Sequence, residues 1–315
     1  MASFSEALVT GANGFIGSSL VRRLVAEGVT VYAMVRTHAD LSRLEGISGI
    51  KVIKVQSFEL AELQQSLSKI SAEVVFNLAS YGVNPQDRDP EAMIEGNVNL
   101  VARLLLATAQ WPLKWFVHTG SCSEYGGNPQ PNTFISEDMP LQLTSLYGLA
   151  KAASVICGNA QALQLGTPFT TLRLFGVYGV GEGPHRLIPY LIDRLNRGES
   201  VDLTPGEQVR DLLYVDDAAD AFIAAAQSDN LDSYAVYNLC SSQPVRIRDA
   251  AEAVADAMNA PRNLLQFGKR PYRADEAMWI VGDNRRFKDA TQWQPQIYFT
   301  DGIQRMIDSN KKTLT

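Results

Sequence analysis

The sequence predicts an α/β protein, a doubly wound parallel sheet carrying a smaller C-terminal lobe. Three observations predict it. Short apolar runs alternate with helical stretches from Ala7 to about Arg173. A glycine-rich turn follows the first of those runs at once. From Gly176 the pattern turns irregular and rich in Gly and Pro.

Ala7-Leu8-Val9 is the kind of apolar run that a parallel sheet buries on both faces. Thr10-Gly11-Ala12-Asn13-Gly14-Phe15-Ile16-Gly17 comes next. A helix is expected over Ser18 to Glu27, with Leu20, Val21, Leu24 and Val25 on one stripe and Gly28 ending it. Val29 to Val35 reads as the second strand. Further strands are expected at Lys51 to Val55, Val74 to Leu78, Trp115 to Thr119 and Phe169 to Leu174. Helices fit Leu60 to Ile70, Pro90 to Ala109, Leu146 to Leu165 and Ile247 to Met258. The alternation implies right-handed crossovers, with ligands at the carboxyl ends of the strands.

Strand, glycine turn, helix and strand make the unit that binds a dinucleotide. The glycines permit a tight turn and a close approach of the diphosphate, and the helix start offers free N–H groups. The spacing is Gly-x-x-Gly-x-x-Gly, with glycines at 11, 14 and 17. The end of the second strand selects the cofactor. An acidic residue there would take the ribose 2′-hydroxyl of NAD; this chain has Val35-Arg36-Thr37. A guanidinium suits a 2′-phosphate, which points to NADP(H) over NAD(H), unless Arg36 only stacks on the adenine or faces water.

Tyr147 and Lys151 are one helical turn apart and follow Ser121, at the end of an apolar run. An ammonium on the same helix face is expected to depress the phenol, and a phenol so tuned can exchange a proton with a sugar or alcohol oxygen. Ser121 is placed to hold that same oxygen.

Taken with Asn77-Leu78-Ala79-Ser80, Asn97, Gly120 to Gly126, Leu172 to Gly179, Gly206 to Asp211 and Tyr214 to Asp217, the chain resembles the extended short-chain dehydrogenase/reductases that act on nucleotide sugars. The resemblance spans nearly the whole chain and implies a Rossmann-type fold. It implies Tyr147 as acid/base, Lys151 on the nicotinamide ribose, and Ser121 beside them. Asn13, Phe15, Ile16, Leu78, Ala79, Ser80, Phe175 and Val177 would join the glycine turn around the cofactor. Arg186, Arg210 and Arg273 would clamp the substrate diphosphate, with Ser123 near the sugar.

The chain departs from the family at several places. Gln56-Ser57-Phe58 stands where an Asp is frequent, Gly176 where Asn is frequent, and Asn77 where His is frequent. Cys122 and Ser123 replace the acidic pair of the 4,6-dehydratases, with Glu124 one place further on, which disfavours dehydration. The resemblance then leaves an NADPH-dependent 4-ketoreductase of a 4-keto-6-deoxy sugar nucleotide, ranked first on Arg36, and a 4-epimerase with retained NAD(P). A non-catalytic dinucleotide-binding protein would not need Tyr147. Cys122 and His185 are read as structural.

Domain limits are expected at 1–175 with 209–240 for the dinucleotide-binding unit, and at 176–208 with 241–315 for the substrate lobe. The net charge of −6 argues against nucleic acid or an anionic membrane as partner. Three unpaired cysteines suggest a reducing compartment, and a cytoplasmic location is expected, with no leader and no membrane span. Three scattered histidines suggest no metal site. Extra apolar residues, Leu100, Leu104 and Leu105 on one helix and Ile156, Leu163 and Leu165 on another, suggest a homodimer through a four-helix bundle.

Overall fold

The computed structural model describes residues 2–84, 86–127 and 130–314, with 312–314 described by backbone alone. Six strands come first: β1 (Glu6–Thr10), β2 (Thr30–Arg36), β3 (Ile50–Val55), β4 (Val74–Asn77), β5 (Trp115–Ser121) and β6 (Phe169–Leu174). Next in sequence are β7 (Gly176–Tyr178), β8 (Val201–Leu203) and β9 (Val209–Tyr214), which lie elsewhere in space, and then β10 (Ala235–Leu239). The main sheet has seven strands in the order β10-β6-β5-β4-β1-β2-β3. Every pairing within it is parallel. Strand order reverses between β1 and β4, so their carboxyl ends, Thr10 and Asn77, border the crevice where such sheets bind ligands.

Successive residues of β1 serve opposite cores, as a strand with two covered faces requires. Val9 joins Leu20 and Leu24 of α1 (Phe15–Ala26), and Phe222 of α7 (Val215–Gln227). Leu8 joins Leu63 of α2 (Leu60–Leu67), Leu104 of α4 (Leu100–Ala107) and Ala162 of α5 (Leu146–Leu165). Helix α1 starts inside the glycine turn, earlier than the sequence pattern suggested, with Gly14 as its N-cap. The helix expected over Pro90 to Ala109 is interrupted. After α3 (Pro90–Ile94), a π-helical turn at Glu95–Asn99 precedes α4. That extra residue per turn directs Asn97 at the loop after β4, where it accepts from Ser80 Oγ at 2.9 Å and donates to the Tyr81 carbonyl at 2.9 Å.

The second lobe is built around β9, which pairs with β7, with β11 (Pro244–Arg246) and with β13 (Trp279–Ile280). Beside it β8 pairs with β12 (Leu265–Phe267). An apolar core joins α6 (Leu187–Asn196), α8 (Ile247–Ala257) and α10 (Phe299–Leu314). The stretch 209–240 is divided between the sheets instead of returning whole to the first. Its strand β9 belongs with the second sheet, while α7 and β10 belong with the first. The short helix α9 (Arg285–Thr291) also packs on the first core, through Phe287.

Leu100, Leu104 and Leu105 do not exceed the core stripe: they are buried in the core on one face of the sheet, with Leu8, Phe116 and Phe169. Among the expected bundle residues, Ile156 at 65% and Leu163 at 64% exposure stand out from α5. Among the described residues no helix is long and apolar enough to cross a membrane.

Gly17 fixes how closely α1 can sit on the turn: a Cβ there would stand 2.2 Å from the Gly11 carbonyl oxygen. Gly17→Ala is expected to cost about 1–3 kcal/mol of stability by urea unfolding and to weaken dinucleotide binding. An unchanged midpoint with unchanged binding would show that the close approach is not needed.

Candidate active site

The floor of the crevice is a line of buried polar groups whose hydrogen bonds all run one way. The Ala79 amide donates to Thr10 Oγ1 at 3.1 Å, and Thr10 donates to Asn77 Oδ1 at 2.7 Å. Asn77 Nδ2 then donates to His118 Nδ1 at 3.1 Å. His118 Nε2 meets Ser154 Oγ at 2.9 Å, and Ser154 donates to the Lys151 carbonyl at 2.7 Å. Since Ser154 gives its own proton away, His118 must carry its hydrogen on Nε2. Burial, helped by the charge of Lys151, holds the imidazole neutral, with its pKa well below the usual histidine range. The line ties the turn after β1 to the middle of α5. Sequence reasoning left Thr10, His118 and Ser154 without a role. The available signal was a histidine inside an otherwise apolar strand, and a buried histidine needs partners.

Ser121 is the last residue of β5 and is buried. It caps a single turn at Cys122–Glu124, its Oγ accepting from the Ser123 amide at 3.1 Å. Ser145 caps α5 by accepting from the Gly148 amide at 3.0 Å. This places Tyr147 in the first turn of α5 and Lys151, 1% exposed, one turn deeper. The Ser80 and Ser121 hydroxyls both reach the Tyr147 phenol and favour its ionised form. Burial outweighs them, so the phenol is raised and not depressed as the sequence suggested. The depressed group is Lys151, lowered to about 8 by burial, against which Glu124 acts. Both side chains lose water in the same cleft, and that loss exceeds the coupling expected from one helix turn.

Gly14 caps α1 without any side-chain acceptor, so the amides of Phe15, Ile16 and Gly17 open the helix towards the crevice. That donor set, with Lys151 beyond it, fits the diphosphate and ribose of a dinucleotide. Arg36 ends β2, exposed, with no ion pair among the described residues. Leu78 and Ala79 pack beside the turn after β1. Gln56 and Ser57, the residues standing in the adenine loop, are tied by their amides to Glu62 of α2. Phe175 does not face the crevice. Its ring lies in a small core with Tyr125, Ile135 and Cys240, because β6 ends one residue earlier and the chain turns inward. Val177 is partly buried between the two large cores.

Arg186, Arg210 and Arg273 share one cavity of about 520 Å³ in the second lobe, joined by Arg270. Glu276 and Asp202 also line it, and Glu276 pairs with Arg210 at 2.5 Å. Sequence reasoning missed these two acids and Arg270; an acid three residues after Arg273 was the visible hint. Ser123 does not line this cavity. The cavity and the Tyr147 cluster adjoin at Cys122, whose thiol feels the charges of Arg210 and Asp211. Burial pushes that thiol up to about 12, so Cys122 has no thiolate to offer as nucleophile at neutral pH. Asp211 is structural. It accepts from the amides of Ser241, Ser242 and Gly282 and from the Ser241 hydroxyl, holding the loop after β10 against β9.

The chain is similar over nearly its full length to proteins of more than one activity. It is 26% identical to a CDP-abequose synthase of Salmonella typhimurium over 309 residues, 95% of this chain and 96% of that protein. It is 29% identical to a UDP-glucose 4-epimerase of Mycolicibacterium smegmatis over 312 residues, 96% and 97% of the two chains. The crystal structure of the Thermotoga maritima UDP-glucose 4-epimerase with UDP-glucose shares the fold, with a TM-score of 0.89 and 24% identity, covering 98% of this chain and 100% of that one. Residues 7–240 match the NAD dependent epimerase/dehydratase family, and the chain belongs to that family of extended short-chain dehydrogenase/reductases.

Proposed function

We propose that the protein is an NADPH-dependent reductase of a nucleotide-linked 4-keto-6-deoxy sugar. The observation that carries this reading is the meeting of Ser80, Ser121 and Tyr147 at one point, beside an arginine-lined cavity able to hold a sugar nucleotide. When bound, the reduced nicotinamide supplies a hydride to the C4 carbonyl carbon of the sugar. Tyr147, kept protonated by burial, gives its phenolic proton to the C4 oxygen as negative charge develops there. Ser121 donates a hydrogen bond to that same oxygen and orients the carbonyl. The Lys151 ammonium holds the nicotinamide ribose and offsets the charge left on Tyr147. Arg186, Arg210 and Arg273 take the diphosphate as paired donors, leaving the sugar to reach towards Tyr147.

Arg36, at the end of β2 and without an ion pair among the described residues, supports NADPH over NADH. The exposed Ile156 and Leu163 on α5 support a homodimer in which α5 packs against its copy. The two catalytically relevant regions are a dinucleotide-binding unit around the first sheet and a nucleotide-sugar lobe around the second.

A panel of dTDP-, GDP-, CDP- and UDP-linked 4-keto-6-deoxy sugars should include one that consumes NADPH stoichiometrically. Tyr147→Phe should lower that rate by about 10²–10⁴-fold while leaving coenzyme binding intact. Turnover of a sugar nucleotide without net coenzyme change would assign a 4-epimerase instead. Calorimetric titration should find NADPH bound more tightly than NADH, with Arg36→Ala removing the difference; equal affinities in the parent protein would refute the assignment. In sedimentation at micromolar concentration a dimer is expected, and Ile156→Glu should yield monomer; a monomeric parent ends the dimer proposal.

A further inference from the structure

Glu124 is fully buried in the turn directly after Ser121, and its two oxygens have separate partners. Oε1 accepts from the Ser121 amide at 2.7 Å. Oε2 pairs with Arg173 Nε of β6 at 2.7 Å. Arg173 is held in turn: it donates to the Tyr125 hydroxyl at 3.1 Å, and Tyr125 donates to Asn238 Oδ1 at 2.6 Å. Strand β5 makes room for the carboxylate by carrying Gly120, where a Cβ would stand 2.6 Å from Glu124 Oε1.

Two consequences reach the reaction centre. With its amide held by Glu124, Ser121 is fixed in the capping geometry where Oγ accepts from the Ser123 amide. One lone pair of Oγ is thereby committed to the backbone, and its proton remains available to the oxygen shared with Tyr147. The turn that carries Glu124 packs directly on the start of α5, where a Cβ at Gly148 would stand 2.3 Å from the Ser123 carbonyl oxygen, and both Glu124 and Lys151 are buried there, so the charge of the carboxylate acts on the lysine. The other titratable groups around Lys151 are neutral His118 on β5, Tyr147 on its own helix, Cys122 in the turn, and Arg173 behind Glu124. On the helices packed across α5, Glu95 and Arg103 pair with each other.

We propose that Glu124 is a positioning residue: it fixes the Ser121 hydroxyl as a donor to the reacting oxygen and supplies the counter-charge of the Lys151 ammonium. The first half rests on the reductase or epimerase reading above; the second does not.

Two variants separate the halves. Glu124→Gln keeps the reach to the Ser121 amide and removes the charge; Glu124→Asp keeps the charge and shortens the reach. The readouts are the Lys151 Cε titration by NMR in lysine-labelled protein, assigned with Lys151→Arg, and the pH profile of kcat/KM. The ammonium exists below its midpoint and is lost as pH rises through it. Removing a neighbouring negative charge makes the ammonium costlier, so the midpoint must fall. Glu124→Gln is expected to lower the Lys151 midpoint by about one pH unit and to move the alkaline limb of kcat/KM down with it. Glu124→Asp is expected to leave the midpoint in place and to lower kcat about ten- to hundredfold at unchanged KM. A midpoint unmoved in Glu124→Gln overturns the counter-charge role, and wild-type kcat in Glu124→Asp overturns the Ser121 role. Should Glu124→Gln fail to fold because Arg173 is left unpaired, Lys151 in Glu124→Asp still decides the second half: a midpoint that falls there, with the carboxylate retained, overturns it. If no nucleotide sugar is turned over by the parent protein while the Lys151 midpoint still moves in Glu124→Gln, the reaction reading fails and the counter-charge role stands.

Discussion

The structure depends on keeping a cationic lysine in a place with almost no water. Lys151 is 1% exposed, its charge helps keep the His118 imidazole neutral, and a carboxylate itself locked in an ion pair, Glu124, favours its ammonium. An isolated ammonium so buried would shed its proton. Polar groups around it are tied to one another: a line of hydrogen bonds runs from the Ala79 amide to the Lys151 carbonyl, and Glu124 gives one oxygen to Arg173 and the other to the Ser121 amide. A half-satisfied version of this network would cost more than an apolar core, which ties the strand ends, the capped turn and helix α5 into one cooperative unit.

Much of the frame was legible because it follows from local rules. Parallel strands covered on both faces give continuous apolar runs, and the span read for α5 is the span observed, since Ser145 caps it and Gly166 ends it in a left-handed turn. The glycine turn, the end of β5 at Ser121 and the shared helix of Tyr147 and Lys151 could be read from spacing, because each is set by the element that carries it. What stayed hidden depends on distant partners. The π-helical turn at Glu95–Asn99 has no composition of its own, and the burial of Leu100, Leu104 and Leu105 of α4 depends on the sheet and helices packed over them. The direction of the Tyr147 shift could not be read from an i, i+4 neighbour, because burial by the strands and loops around it decides the sign. Likewise β9 sits in a segment whose helix and following strand belong to the other sheet, a division that only long-range pairing reveals.

Within the site the two lobes differ in kind. The side built on the first sheet is set by backbone: helix amides, strand ends and a capped turn. The side built on the second is set by side chains: four arginines and two acids around one cavity, with Glu276 already compensating Arg210. The positive charge of that cavity is partly neutralised in advance, which moderates its attraction for an anion.

The chain passes between the two sheets after β6, returns through α7 and β10, and leaves again at β11. Neither lobe is a contiguous piece of sequence, so no single crossover in a gene can exchange the second lobe for another. Divergence has to proceed by replacing cavity and turn side chains on an unbroken backbone. That is the pattern expected when full-length relatives share one architecture while bearing the names of different enzymes.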